Sequence, residues 1–295
     1  MQLPHIEPVF RPPSEARSLI LQVTNGCSWN QCTFCEMYTQ EQKRFHLKKQ
    51  SQIEQELKAV SGTGMPVRRI FLADGDAMTL SFRRLKQIMD AIQHYLPDVQ
   101  RVSSYCLPRN LKHKTVAELS ELGALGLNLF YVGCESGDDL VLEKVKKGET
   151  FDSSLAALQK IKSSGSRSSV MILNGMGGKL YSEQHAVNSA RLMNRAQPEY
   201  LSTLVVSFPA GTERYQSGFK GEFEPLDQAG LFREMRCLLD SLELKNTIFR
   251  SDHASNYLVL KGTLNRDKSR LLQTVQAALE QPGAVSLRPE WMRGL

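Results

Sequence analysis

The chain has 295 residues, 41% of them hydrophobic and 23% charged, which is enough apolar content to bury a substantial core as one large domain or as a domain with an extension. Its net charge of +6 is modest but uneven, with a basic run KRFHLKK at 43–49; such a patch can attract a phosphate-bearing partner such as RNA, although solvated charge is its commoner meaning. No segment has the roughly 18 uninterrupted apolar residues of a membrane span or the apolar run of a signal peptide, so the expected location is cytoplasmic with no membrane partner.

In chain order, short runs rich in β-branched and aromatic residues alternate with longer segments of helical periodicity. The predicted strands are 19–24 (LILQVT), 69–73 (RIFLA), 101–105 (RVSSY), 128–133 (NLFYVG), 169–174 (SVMILN) and 201–207 (LSTLVVS). Between them, Leu85, Ile88, Met89, Ile92 and Leu96 form one core-facing helical stripe, and Phe151, Leu155, Leu158 and Ile161 form another. Glycines at Gly62, Gly64, Gly123, Gly126 and Gly165 mark the places where helices end and the next strand begins. Past the sixth strand, helices are expected near 227–243 and 268–280. The polar stretch 250–256 and a strand-like run at 257–260 lie between them.

Sequential βα units imply an α/β fold with a parallel sheet, either open or partly closed into a barrel. In both, chemistry belongs at the carboxyl ends of the strands. Cys27, Asp74, Gly75, Asp76, Glu135 and Asn174 all fall there.

The segment TNGCSWNQCTFCEMY places Cys27, Cys32 and Cys35 within nine residues. In a reducing compartment such a cluster points to metal binding or catalysis before disulfides. Three readings stand open. Structural zinc needs a fourth ligand, for which His46 is the nearest candidate. A four-thiolate iron-sulfur cluster would have to recruit Cys106, Cys134 or Cys237. A [4Fe-4S] cluster held by three thiolates would leave one iron open to a small molecule.

At this point the segment resembles the radical S-adenosylmethionine (radical SAM) superfamily, whose cysteine motif has an aromatic residue before its third cysteine, as Phe34 stands here. The first gap is one residue longer than the usual Cys-x3-Cys-x2-Cys. Asp74-Gly75-Asp76 is similar to the Gly-Gly-Glu turn that holds the cofactor's amino group, with a shorter acid and one glycine. Gly133-Cys134-Glu135-Ser136-Gly137 resembles the family's Gly-x-Glu-Ser-Gly, in which Glu135 would meet the ribose, and 141–148 (VLEKVKKG) matches its continuation. Asn174 and Gly175 resemble ribose and adenine-side contacts, with Val206, Ser207 and Phe208 beside the adenine.

The likeness covers about residues 18–210. It implies a partial (β/α)6 TIM-like barrel, with an N-terminal extension at 1–17 and a C-terminal α/β extension at 211–295 covering the barrel mouth. It also implies a [4Fe-4S] cluster on Cys27, Cys32 and Cys35, together with S-adenosyl-L-methionine as a second cofactor. The expected activity is an oxidoreductase-like reductive cleavage to a 5′-deoxyadenosyl radical that abstracts hydrogen from an unidentified, small organic substrate. The electrons would come from a donor such as flavodoxin or ferredoxin. The absence of a second cysteine cluster speaks against sulfur insertion, and the short N-terminal region against a cobalamin domain. The alternative is a non-catalytic iron-sulfur or zinc module with a structural or RNA-binding role.

For the remaining residues, Cys106 and Cys237 are expected in the core, Trp29 and Tyr38 are expected to shield the cluster, and 175–178 (GMGG) is expected to be a tight turn. The stretch 250–256 is either a capping loop in which His253 is satisfied by neighbours or a substrate-binding segment carrying Arg250, His253 and Asn256.

Overall fold

The computed structural model describes residues 3–208 and 211–294. The expected core boundary at residue 210 lies outside the described residues, as do the outermost ends of the two predicted extensions. The strands of the large sheet are β1 (Leu19–Gln22), β4 (Arg69–Ala73), β5 (Arg101–Cys106), β6 (Leu127–Glu135), β7 (Arg167–Asn174), β8 (Tyr200–Val205), β9 (Thr247–Ser251) and β10 (Leu260–Leu264), in the order β1-β4-β5-β6-β7-β8-β9-β10. A small antiparallel pair, β2 (Thr24–Asn25) and β3 (His46–Leu47), flanks the cysteine segment. The fold is therefore α/β with a mostly parallel sheet, and β10 is antiparallel to β9. Among the described residues no closed barrel forms, and no helix is long and apolar enough to cross a membrane.

The chain separates into two compact units. The first comprises Met1–Asn30, Cys35–Val132 and Gln159–Ser168. Its helices are α1 (Gln50–Ser61), α2 (Phe82–Tyr95) and α3 (Val116–Ala124). The predicted stripe on α2 is realised: Leu85, Ile88, Met89 and Ile92 are buried, and Ser81 caps the helix by accepting from the Arg84 amide. α3 starts with a reciprocal cap, in which Thr115 Oγ1 accepts from the Glu118 amide and Glu118 Oε2 accepts from the Thr115 amide. Ile20, Phe71 and Ala73 form an inner cluster packed by Val9, Tyr105 and Tyr131.

The second unit comprises Gln31–Phe34, Gly133–Leu158 and Ser169–Leu295. It holds α4 (Asp139–Lys144), most of α5 (Phe151–Ser163), α6 (Gly178–Ala196), the short α7 (Glu213–Gln216), α8 (Gln228–Ser241) and α9 (Lys268–Glu280). Val141, Val145, Met176, Tyr215, Phe219 and Phe223 build an aromatic-rich core, on which Phe34 and Phe208 pack.

The structure corrects several boundaries. The sixth predicted strand stops at Val205, its last ladder bond running from the Val206 amide to the Asn174 carbonyl. The strand-like run at 257–260 is displaced to Leu260–Leu264, and Leu258 makes only an isolated bridge with Leu287. Arg250 and Ser251, expected at the start of the polar stretch 250–256, are instead the end of β9. His253 Nδ1 is engaged by Ser255, as the capping-loop reading expects. Cys106 is buried as expected, whereas Cys237 on α8 is only half-buried.

Candidate functional site

In the first unit, β4 delivers the Asp74-Gly75-Asp76 turn at its carboxyl end. Asp74 does not face solvent. Its Oδ2 lies 2.5 Å from Lys43 Nζ, and both side chains are fully buried. The Gln22 amide reaches the same oxygen at 3.4 Å, while Oδ1 accepts from the Gly75 amide at 2.8 Å. Tyr38 Oη also receives the Gly75 amide at 3.0 Å, and Thr24 Oγ1 donates to the Asp74 carbonyl at 2.7 Å. Burial, followed by the neighbouring Asp74 charge, pushes the Tyr38 hydroxyl well above its usual range and keeps it neutral.

Gly75 is obligatory on two counts: its φ is +29°, and a Cβ there would sit 2.6 Å from the Gly26 carbonyl oxygen. Asp76 is different from Asp74. It is completely buried, Ser28 Oγ donates to its Oδ2, and its Oδ1 has no hydrogen-bond partner. Burial raises its pKa, against the opposing pull of Ser28, Asn110 and the Arg109 charge. Cys27 and Cys35, in the same unit, are partly exposed thiols, and the Arg109 guanidinium lies 3.8 Å over the Trp29 ring.

In the second unit, Cys32 is also partly exposed, and Phe34 lies with its ring 5.7 Å from Lys147 Nζ. Glu135 ends β6 in the left-handed region, with φ +65°. Its Oε1 accepts from buried Lys147 Nζ at 3.1 Å, and a Cβ at Gly133 would collide with that same oxygen. Burial works against the Lys147 charge, but Glu135 and then the Cys32 sulfur outweigh it and hold its pKa above the ordinary lysine value. Cys134 is fully buried, and desolvation pushes its thiol up to about 12.

Asn174 ends β7 with its carbonyl bound by the Val206 amide and its side-chain Oδ1 without a partner. Gly175 follows at φ +82°, so 175–178 is the expected tight turn. The Gly175 amide donates to Glu234 Oε1 at 2.6 Å, and Ser182 donates to Glu234 Oε2 at 2.7 Å. Ser207 is half-buried just past β8, and Phe208 packs on Tyr215 with ring centroids 4.7 Å apart.

Thus Asp74, Gly75 and Asp76 come together in one unit, while Phe34, Glu135, Asn174 and Ser207 all lie in the other. Among the described residues, no group of three or more His, Cys, Asp or Glu side chains is arranged to hold a metal ion. The donor chemistry nevertheless fits the expected groups. Three cysteines on one short segment, none in a disulfide, are the ligand type of an iron-sulfur cluster. The buried acceptors Asp76 Oδ1 and Asn174 Oδ1 lack the donors that a ligand's ammonium or hydroxyl groups supply.

Sequence reasoning missed Lys43, Lys147 and Glu234. Lys43 sits in the run read as surface charge, yet its side chain is fully buried. Its partner Asp74 lies 31 residues along the chain, so no local signal marks it.

Residues 21–193 match the Radical SAM superfamily. Among curated relatives, the chain is 24% identical over 157 residues to the Heme chaperone HemW of Bacillus subtilis, covering 52% of this chain and 41% of that protein. It is 22% identical over 163 residues to the tRNA uridine(34) acetyltransferase of Methanocaldococcus infernus, covering 54% of this chain and 29% of the other. The chain therefore spans less than half the length of either relative. Its fold is similar to that of the radical SAM enzyme coproporphyrinogen III oxidase (HemN) from Escherichia coli, with a TM-score of 0.58 at 12% identity, covering 92% of this chain and 70% of that one. With the family match extending over more than half of its length, and with the motif order and the α/β fold in agreement, this chain belongs to the Radical SAM superfamily of enzymes.

Proposed function

We propose that the protein is a radical SAM enzyme whose Cys27, Cys32 and Cys35 hold a [4Fe-4S] cluster. Its reaction would be hydrogen abstraction from an organic substrate, with a flavodoxin or ferredoxin type of protein as electron donor. When bound, the cluster and S-adenosyl-L-methionine supply reductive carbon-sulfur cleavage and with it a 5′-deoxyadenosyl radical. The chain's own residues bind and orient. Asp76 offers a buried, unpartnered carboxylate oxygen suited to an ammonium donor, and Asn174 offers an unpartnered amide oxygen suited to a hydroxyl. Glu135, fixed by Lys147, presents a second carboxylate at the end of β6. Phe34 and Phe208, both packed on the aromatic core, supply a face for a flat heterocycle, with Ser207 preceding Phe208 in the chain.

The observation that carries this reading is the pair of buried acceptors without donors at the carboxyl ends of β4 and β7, each at a position the family motif assigns to the cofactor. Buried polar atoms are nearly always satisfied, so an orphan acceptor at a motif position supports a ligand there, whereas the orphan atoms elsewhere in the chain carry no such argument. One relative is named for heme and another for tRNA, and that spread fixes no substrate class for this chain.

The test is anaerobic reconstitution with iron and sulfide, followed by electron paramagnetic resonance of the reduced protein with and without S-adenosyl-L-methionine. A [4Fe-4S]+ signal that shifts on addition, with 5′-deoxyadenosine formed under reducing conditions, is expected. Bound zinc, or a cluster signal indifferent to the ligand, would overturn the proposal.

A further inference from the structure

We infer that Asp74 is a positioning residue and that its ion pair with Lys43 is the clasp holding both ends of the cysteine loop to the end of β4. The role of that loop as cluster carrier rests on the function proposed above.

A carboxylate has about four acceptor sites. Asp74 spends three of them on Lys43, Gln22 and the Gly75 amide, and its charge lies beside the Tyr38 hydroxyl. Lys43 Nζ gives a further bond to the Ile6 carbonyl at 2.5 Å. Both charges are sealed from solvent, so neither side chain keeps a free direction for a ligand.

Each arm of the clasp ends beside a cysteine. On the entry side, Asn25 Nδ2 donates to the Gln42 and Arg44 carbonyls at 2.7 and 3.0 Å, and the Lys43 carbonyl packs against Gly26, whose φ is +69°. Gly26 directly precedes Cys27. On the exit side, Tyr38, three residues past Cys35, receives the Gly75 amide through its hydroxyl, and Asn30 Nδ2 donates to its carbonyl at 2.9 Å. Lys43 thus fixes the loop's start and Tyr38 its end; Asp74 is bonded to Lys43 directly and joined to Tyr38 through the Gly75 amide, which both accept. An isolated buried charge is strongly disfavoured, so losing either partner forces this base to rearrange or admit water.

The test uses the metal-free protein, so it reads the loop independently of any cluster. Alkylation rates of Cys27 and Cys35 are followed by mass spectrometry, with half-buried Cys237 in the other unit as internal reference. In Lys43→Met, labelling of Cys27 and Cys35 is expected to accelerate about tenfold through local opening, with Cys237 unchanged. In the double variant Lys43→Met/Asp74→Asn, which removes both charges but keeps a carbonyl for the Gly75 amide, labelling should return towards the wild-type rate. After reconstitution, that double variant should still show the S-adenosyl-L-methionine-dependent change in the resonance signal. Wild-type labelling in Lys43→Met overturns the clasp, and so does equal acceleration of all three cysteines. A double variant that labels like wild type but no longer responds to S-adenosyl-L-methionine overturns the positioning role and makes Asp74 a ligand. If the wild type itself binds no cluster, the proposed function fails while the labelling result stands.

Discussion

The two units end their strands with acidic residues that are handled in opposite ways. In the first, Asp74 is sealed in an ion pair whose members are both fully buried. In the second, Glu135 is paired with Lys147 at 3.1 Å, but its side chain keeps about a tenth of its surface exposed. The sealed pair is internal architecture, whereas the partly open one is a carboxylate oriented by a lysine and left accessible. Asp76, two residues from Asp74, falls between these cases: it is buried like Asp74 but retains an oxygen without a partner. Sequence position alone does not separate a cofactor group from a structural one; the count of satisfied lone pairs does.

The largest effect should come from breaking the sealed pair. Lys43→Ala leaves Asp74 buried and unpaired, which costs about 3–5 kcal/mol and should lower the urea midpoint of the metal-free protein sharply. Lys147→Met should cost less, about 1–3 kcal/mol, because Glu135 can gain water through its exposed edge. Equal losses for the two variants would erase the contrast between the units. Gly75→Ala comes next. A left-handed φ and the Gly26 carbonyl at 2.6 Å from the new Cβ put the strain at about 1–3 kcal/mol. The same substitution at Gly165, where φ is +78° but no atom lies within 4 Å, isolates the conformational part. If the two glycine variants unfold at the same denaturant concentration, the crowding of the turn by the cysteine loop contributes nothing.

Much of this was legible in the sequence. The stripe from Leu85 to Ile92 and the run RIFLA gave α2 and β4 directly, because apolar periodicity is a local signal. β9 was missed because Arg250 and Ser251 lie at its end and drew the reading towards a polar loop, although Thr247 and Phe249 are buried on alternate positions. The motif order placed Asp76, Glu135 and Asn174 at strand ends correctly. Lys43 and Glu234 were beyond reach for a physical reason. Each is defined by a partner far along the chain, Asp74 and Gly175 respectively, and nothing in KRFHLKK or in the amphipathic α8 distinguishes a buried charge from a solvated one.

The smallest effect tests whether the second unit also contains a sealed acid. Glu234, on α8, is buried, and desolvation raises its pKa above the ordinary 4.5 against the pull of His185, Ser182 and the Gly175 amide. A carboxyl whose folded pKa is raised contributes stability below its unfolded value and loses it as pH rises through the folded value. Glu234→Gln removes that titration while keeping an acceptor for the Gly175 amide and a donor for Ser182. The variant should therefore gain stability relative to wild type as pH is raised from about 4 towards neutrality, read as the difference between their urea midpoints. Parallel pH profiles would mean that Glu234 is satisfied as an anion, and the second unit would then hold a sealed acid equivalent to Asp74. A widening gap would instead set Glu234 apart from Asp74, whose buried carboxylate has a full countercharge in Lys43.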